Sequence, residues 1–466
     1  MHAYTPADDR TTRELARLCI ERLATRTPLD RPLTPEELEQ QAGRTVVPEG
    51  LGPDEAMRLW QEVLSLACLS VDHPRYLSFI PSAPTKAAAG FDMVVGATSV
   101  YGGSWLEGSG AVYAENQALR WIAELAGLPP ESGGVFVQGG TIGNLSALVA
   151  ARESARHRRA QRGRPAPHRW AACVTAETHS SVKHALQVVM DVDVIEVPGD
   201  DRGRMTGPAL RAVVDDLPDA VRSGVFAVVA TAGTTNLGVV DDIAGVAEVA
   251  RAQQWWLHVD GAYGGAGLAA PSVRHLFAGV EHADSFLVDP HKWLFAPFDS
   301  CALLYRDPVQ ARAAHTQTAG YLDPVTVEGE WNPSDFAIQL TRRARGLPFW
   351  FSLAVHGTDA YRDAVEQTLA VARAGRAIID DRAHTRLLVE PDLSVLVFER
   401  VGWDADQYAR WSSRILDEQL GFVTPTRHDG RVCTRFAVVN PTTTADDLAQ
   451  LIDSMHDVDA GAAETG

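Results

Sequence analysis

At 466 residues the chain exceeds what one small core requires, and it predicts a large domain with smaller appendages. Its net charge of −18 argues against nucleic acid or an anionic membrane as the main partner. No apolar run approaches the roughly 20 residues of a membrane helix, and 45% hydrophobic with 22% charged residues is an ordinary globular composition.

The five cysteines (Cys19, Cys68, Cys173, Cys301, Cys433) are scattered and form no CxxC pair, so neither a zinc site nor a disulfide framework is expected. The polar start with Asp8 and Asp9 is unlike a signal peptide, which predicts a cytoplasmic protein with reduced thiols. Residues 11–70 read as helices. Leu15, Leu18, Cys19 and Leu23 recur at helical spacing before a Pro-rich break at 28–35. The next helix, Asp54 to Leu69, carries Met57, Leu59, Trp60, Val63, Leu64 and Leu66 on more than one side. A helix so apolar near a terminus needs a cover, for which another subunit is a candidate.

From about 86 to 352 short β-branched runs alternate with helical stretches such as Asn144–Arg159. The runs are Val135–Val137, Val192–Val197, Val225–Ala230, Trp256–Asp260 and Ser285–Asp289, and they read as strands buried on both faces. The alternation predicts an α/β fold, a mostly parallel sheet flanked by helices. Arg156–Arg169, with Pro165 and Pro167, reads as a solvated helix end and loop. From 353 onward, helices at Ala360–Ala383 and Asp404–Leu420 and strands at Ser394–Glu399 and Val432–Asn440 predict a small α+β domain. The expected division is therefore 1–85, 86–352 and 353–466.

The densest chemistry lies in Asp284-Ser-Phe-Leu-Val-Asp-Pro-His-Lys-Trp293, where a strand ends and a turn presents Lys292 at the sheet's carboxyl edge, the edge at which open α/β folds bind ligands. Lysine is the one common side chain that condenses with an aldehyde. A second strand, Trp256–Asp260, ends in a carboxylate that needs a partner once buried, and a protonated pyridine nitrogen is one. Phe136-Val-Gln-Gly-Gly-Thr-Ile-Gly-Asn-Leu145 is a glycine-rich turn opening a helix, suited to a phosphate, with Thr141 or Asn144 as an added donor. It is not a P-loop, because no Gly-Lys-Ser/Thr follows. His179 and Thr231 follow two further strands, where an imidazole can stack on a flat ring and a hydroxyl can reach its edge.

Together these residues resemble the group II pyridoxal-phosphate decarboxylases, through His73-Pro-Arg-Tyr-Leu-Ser-Phe-Ile-Pro-Ser82, Gly102-Gly-Ser-Trp105, Thr178-His-Ser-Ser-Val182, Leu257-His-Val-Asp-Gly-Ala-Tyr263, Pro290-His-Lys-Trp293, Arg342-Arg343 with Arg345, and Arg435-Phe-Ala437. The aromatic-amino-acid branch looks nearest. The resemblance implies a fold type I homodimer with shared active sites, and pyridoxal 5′-phosphate as cofactor. By residue, it implies Lys292 as the Schiff-base lysine, Asp260 as the pyridine-nitrogen partner and His179 as the stacking histidine. Ala262 would press on the other ring face and Thr231 would touch the cofactor. Gly140, Thr141, Asn144 and His291 would surround the phosphate side. Phe79, Pro81, Tyr101, Gly103 and Phe298 would form the substrate pocket, and no metal is implied. The implied activity is decarboxylation of an L-amino acid to its amine.

Three departures set further expectations. The stretch Val327–Ile338 lacks the loop tyrosine that members of that branch carry, Pro333 standing near its place, which raises a decarboxylation-dependent aldehyde synthase as an alternative. An aminotransferase is a weaker one. Gly103 is expected to enlarge the substrate pocket while Tyr101 fills another part of it. Asp289 would repel a phosphate unless it is bonded elsewhere. Between Gly320 and Leu340, a mobile lid anchored by Trp331 and Phe336 is expected.

Overall fold

The structure, a computed structural model, describes residues 2–320 and 329–460, the side chains of 456–460 excepted. Its centre is a seven-stranded sheet of β1 (Gly133–Val137), β2 (Ala171–Thr175), β3 (Asp193–Val197), β4 (Val225–Thr231), β5 (Trp256–Asp260), β6 (Ser285–Val288) and β7 (Cys301–Tyr305), in the order β1-β7-β6-β5-β4-β2-β3. Strands β3, β2, β4, β5 and β6 pair in parallel, whereas β7 runs antiparallel to both neighbours, β6 and β1. Six strands therefore point the same way, and their carboxyl ends gather along one edge.

Helices on both faces explain why the strands read as unbroken apolar runs. All seven residues of β4 are buried, as are all five of β2, β5 and β7. Strand β3 departs from the expectation of burial on both faces. It is an edge strand with Asp193 and Glu196 exposed, and the charges blunt further pairing. Strand β7 is absent from the sequence reading although Cys-Ala-Leu-Leu-Tyr is as apolar as its neighbours.

The helix after β1 spans Gly140–Gln161, four residues earlier than read, because the glycine turn itself forms its first turn. The long helix Leu347–Asp381 covers the expected Ala360–Ala383 segment up to Asp381 and bends at Gly357, whose φ of +76° suits glycine. A second, antiparallel sheet of β8 (Thr385–Val389), β9 (Val395–Arg400), β10 (Pro425–His428) and β11 (Arg431–Ala437) has the order β10-β11-β9-β8. Helices Ala405–Asp417 and Ala445–Ala460 complete that region, around buried Trp411, Phe398 and Phe436.

The N-terminal helix Pro6–Ala24 is opened by a capping box on Thr5 and has no buried residue. The expected Asp54–Leu69 helix is α-helical over Pro53–Leu59, then a π turn over Trp60–Leu64 and a 3-10 turn over Ser65–Ala67. Leu59 and Val63 are buried, whereas Trp60 and Leu66 are about half exposed, at 54% and 49%.

Candidate active site

Because the strands point one way, the loops leaving β1, β2, β4, β5 and β6 converge. They enclose a cavity of about 210 Å³ that has Lys292, Asp260, His179, Thr231, Ala262 and His291 in its wall, with Gly140, Thr141 and Asn144 from the glycine turn. All nine residues expected around the cofactor thus share one cavity. Gly139, Ser181, Gly233, Thr235, Tyr263 and Asp289 also line it.

Asp260, at the end of β5, closes a chain of buried hydrogen bonds. Asn144 Nδ2 donates to Asp260 Oδ2 at 2.9 Å, which turns Asn144 Oδ1 toward His258 Nε2 at 2.7 Å. His258 Nε2 therefore carries the hydrogen. Its Nδ1 accepts from the Ser285 hydroxyl at 2.8 Å, and Ser285 Oγ accepts from Trp256 Nε1 at 2.7 Å. Burial pushes His258 down to about 4, against the pull of Asp260, so the imidazole is neutral. The other Asp260 oxygen accepts from Ala262 N at 3.0 Å. Trp256, His258 and Asp260 alternate along β5 and so share a face, while Ser285 is the β6 partner of His258. That period-two spacing was the available signal for His258.

Lys292 leaves the turn after β6 with its Nζ 3.0 Å from Asp289 Oδ2. Burial acts to lower the ammonium, but Asp289 and then Asp260 outweigh it and hold it above its ordinary range. For Asp289, burial would raise the carboxyl, yet Lys292 and His291 hold it below the usual carboxylate range. Its Oδ2 also accepts from Gly140 N at 3.3 Å, so the acid is bonded elsewhere, as its position required. His291 is fixed by the Ser300 backbone, whose carbonyl oxygen lies 2.7 Å and whose nitrogen lies 3.0 Å from Nδ1. His179 caps the short helix Ser180–His184, where its Nδ1 accepts from Ser181 N at 3.2 Å. Among the described residues, Thr231 Oγ1 and Asp289 Oδ1 in the wall are buried without a hydrogen-bond partner. Thr231 N donates at 2.7 Å to Asp241, a buried carboxyl pushed up to about 7 by desolvation and absent from the sequence reading.

The five residues expected to form the substrate pocket lie outside that wall. Phe298 is exposed with its ring 5.0 Å from His291, Pro81 is buried, and Phe79 is exposed with φ +53°. Gly103 does not enlarge the pocket. A Cβ there would meet Tyr101 Cζ and Oη at 2.3 Å, so the space the glycine leaves is occupied by Tyr101, whose hydroxyl donates to Leu340 O at 2.9 Å.

The described part of the expected lid is a packed strap. Trp331 stacks on Phe336 with ring centroids 4.2 Å apart and donates to Gly134 O, and Asn332 Oδ1 accepts from Trp105 N at 2.8 Å. Two aromatic anchors seated against β1 hold it there. Pro333 is buried in a 3-10 turn, whereas Pro324 and Val327 lie outside the described residues. The chain's two other lysines stand elsewhere, Lys183 paired with Glu196 at 2.7 Å and Lys86 exposed at a helix start.

The pyridoxal-dependent decarboxylase conserved domain matches residues 35–401. The chain is 26% identical over 437 residues to an aromatic-L-amino-acid decarboxylase of Bacillus atrophaeus, covering 91% of this chain and 89% of that one. It is 31% identical over 395 residues to an L-2,4-diaminobutyrate decarboxylase of Rhizobium meliloti (strain 1021), covering 83% and 78%. Its fold is similar to the crystal structure of Oryza sativa TDC with PLP and tryptamine, at TM-score 0.86 and 22% identity over 99% of this chain and 100% of that one.

Proposed function

The chain belongs to the pyridoxal-dependent decarboxylase family and is an amino acid decarboxylase of fold type I that uses pyridoxal phosphate; from that premise we propose that Lys292 carries the cofactor and Asp260 tunes it. The observation that carries the proposal is that Lys292 and Asp260 share one cavity with the Gly139–Thr141 turn. The wall fits the group. Thr231 Oγ1 is a buried hydroxyl awaiting a partner, and Gly139 and Gly140 form a backbone cradle at the start of a helix.

Bound there, pyridoxal phosphate supplies a carbonyl for an amine and a ring that takes up the electron pair of the breaking Cα–carboxylate bond. The protein's own residues do the rest. The Gly139 and Thr141 amides and His291 would hold the phosphate, and His179 and Ala262 would flank the ring. Asp260, braced by Asn144 and Ala262 N, would hold a proton on the ring nitrogen. Lys292 would have to shed a proton before its Nζ could add to a carbonyl, and Asp289 Oδ2 at 3.0 Å opposes that loss by stabilising the ammonium. A substrate carboxylate held there away from water would depart more readily as neutral carbon dioxide. Lys292 then returns a proton to Cα.

The product is the amine. The protein works as a cytoplasmic homodimer, with residues 1–85 as a dimerisation segment, 86–352 as the cofactor domain and 353–466 as a small domain. The exposed Trp60 and Leu66 support a partner over the N-terminal segment. The test is to incubate holoenzyme with a panel of aromatic and diamino L-amino acids while following carbon dioxide and product mass. Equimolar amine and carbon dioxide are expected. Aldehyde with ammonia would replace the amine reading by an aldehyde synthase, and dependence on a 2-oxo acid without carbon dioxide would overturn decarboxylation.

A further inference from the structure

At the opposite edge of the sheet from Lys292, where β2, β4 and β5 begin, lies a second cavity of about 450 Å³. It shares no lining residue with the first. Among the described residues its wall carries five guanidiniums, Arg158, Arg159, Arg162, Arg164 and Arg222, against a single carboxylate, Asp219. Asp219 is already paired with Arg222.

The other four arginines have no carboxylate at ion-pair distance among the described residues, although their sequence neighbours Arg156 and Arg169 do. Neutral acceptors hold three of them. Arg158 donates to Ser154 Oγ at 2.7 Å, Arg159 to the carbonyls of Pro165 and Ser223 at 2.9 Å each, and Arg162 to Gln254 Oε1 at 2.9 Å. Such bonds fix the forks without neutralising them. Trp170 and Trp255 complete the wall with indole rings.

The helix dipole does not account for the cluster. Arg158 and Arg159 stand in the last turn of Gly140–Gln161, where the dipole offers about half a negative charge. Half a charge does not balance four guanidiniums, and Arg162 and Arg164 lie beyond that helix. Burial, aided by the charge of Arg162, holds Arg158 below its ordinary range despite Asp284.

We propose that this cavity is a binding site for a small molecule bearing a di- or triphosphate group. Guanidinium forks pair with phosphate oxygens bidentately, and a linked phosphate chain brings enough negative charge to balance the four unpaired arginines. The volume falls within the ~300–1,000 Å³ of small-molecule sites. The indoles would flank whatever the phosphates are attached to.

The test is isothermal titration of purified holoenzyme with tripolyphosphate, orthophosphate and a nucleoside triphosphate. Tripolyphosphate should bind one per chain and at least about tenfold tighter than orthophosphate, since each lost charge-assisted bond is worth about that factor. Arg162→Ala with Arg164→Ala, both exposed, should weaken it about tenfold or more by the same count, while carbon dioxide release without the ligand stays unchanged. A nucleoside triphosphate that binds tighter than tripolyphosphate would assign the indoles to its base, and equal binding would assign recognition to the phosphates alone. Absence of heat with tripolyphosphate at low salt, unchanged binding in the double variant, or binding of single-stranded RNA without tripolyphosphate would overturn the proposal.

Discussion

Asn144 Nδ2 lies 2.9 Å from Asp260 Oδ2, while the oxygen of the same amide accepts from His258. One side chain on the glycine-turn helix thus fixes the carboxylate at the end of β5. Asn144→Ala leaves Asp260 Oδ2 and His258 Nε2 without these partners in a buried place, at about 1–3 kcal/mol for each unsatisfied group. Denaturant midpoints should fall accordingly, and kcat should fall about ten- to a hundredfold, at roughly 1.4 kcal/mol per factor of ten. The pH titration of the bound cofactor's absorbance should shift as well. Wild-type values in all three measurements would remove Asn144 from the support of Asp260.

A second prediction concerns the Lys292–Asp289 pair. Asp289 holds the ammonium above its ordinary range against the effect of burial. Asp289→Asn removes the counter-charge and leaves burial, so the free amine should appear at lower pH. Reconstitution of apoprotein with cofactor, followed by absorbance, should then proceed at lower pH than in wild type. Borohydride reduction and peptide mapping should label Lys292 in both proteins. Labelling of Lys183 would relocate the site.

Stability should carry a signature of Glu115. This buried carboxyl accepts from Gly346 N at 2.6 Å and faces Arg342 and Arg345, yet burial pushes it from 4.5 up to about 7. A raised carboxyl contributes stability at low pH that is lost as pH climbs from 4.5 through 7. Glu115→Gln keeps the acceptor and removes the titration. The difference in unfolding free energy, variant minus wild type, should therefore rise across that window, by up to about 3 kcal/mol, and flatten above it. Stability lost on acidification through His258 is common to both proteins and cancels. A difference independent of pH would contradict the assignment.

The Tyr101–Gly103 contact predicts strong non-additivity. Gly103→Ala alone forces the tyrosine ring away and should cost about 1–3 kcal/mol, typical of overpacking. In a Tyr101→Ala background the same change should cost little. A double-mutant cycle by denaturant unfolding measures the coupling, and additive values would mean the ring moves aside freely.

Legibility from sequence followed range along the chain. The strand-end residues Lys292, Asp260, His179 and Thr231 announced themselves because each stands where a β-branched run stops. Fold topology turns that one-dimensional feature into a shared edge. What stayed hidden depends on pairing between distant segments. His258 gains its meaning from Ser285 on the next strand and Asn144 on a helix, and Asp241 from the Thr231 amide. Gly103 was read as space because a missing side chain reveals nothing about which neighbour fills it. The strap at Trp331 was read as mobile because its anchor, the face of β1, lies about two hundred residues earlier.

The reversed strand β7 has a consequence for biosynthesis. Among the described residues strand β1 pairs in the sheet with β7 alone, and 163 residues separate Val137 from Cys301. As the chain emerges from the ribosome, the glycine turn is made early, but the strand that carries it has no sheet to join until residue 305 is out. Strands β2 to β6 can assemble meanwhile, each later strand pairing with one already made. Cofactor capture is thereby postponed to near the end of synthesis, and nascent chains arrested before Tyr305 should be unable to hold pyridoxal phosphate however long they wait.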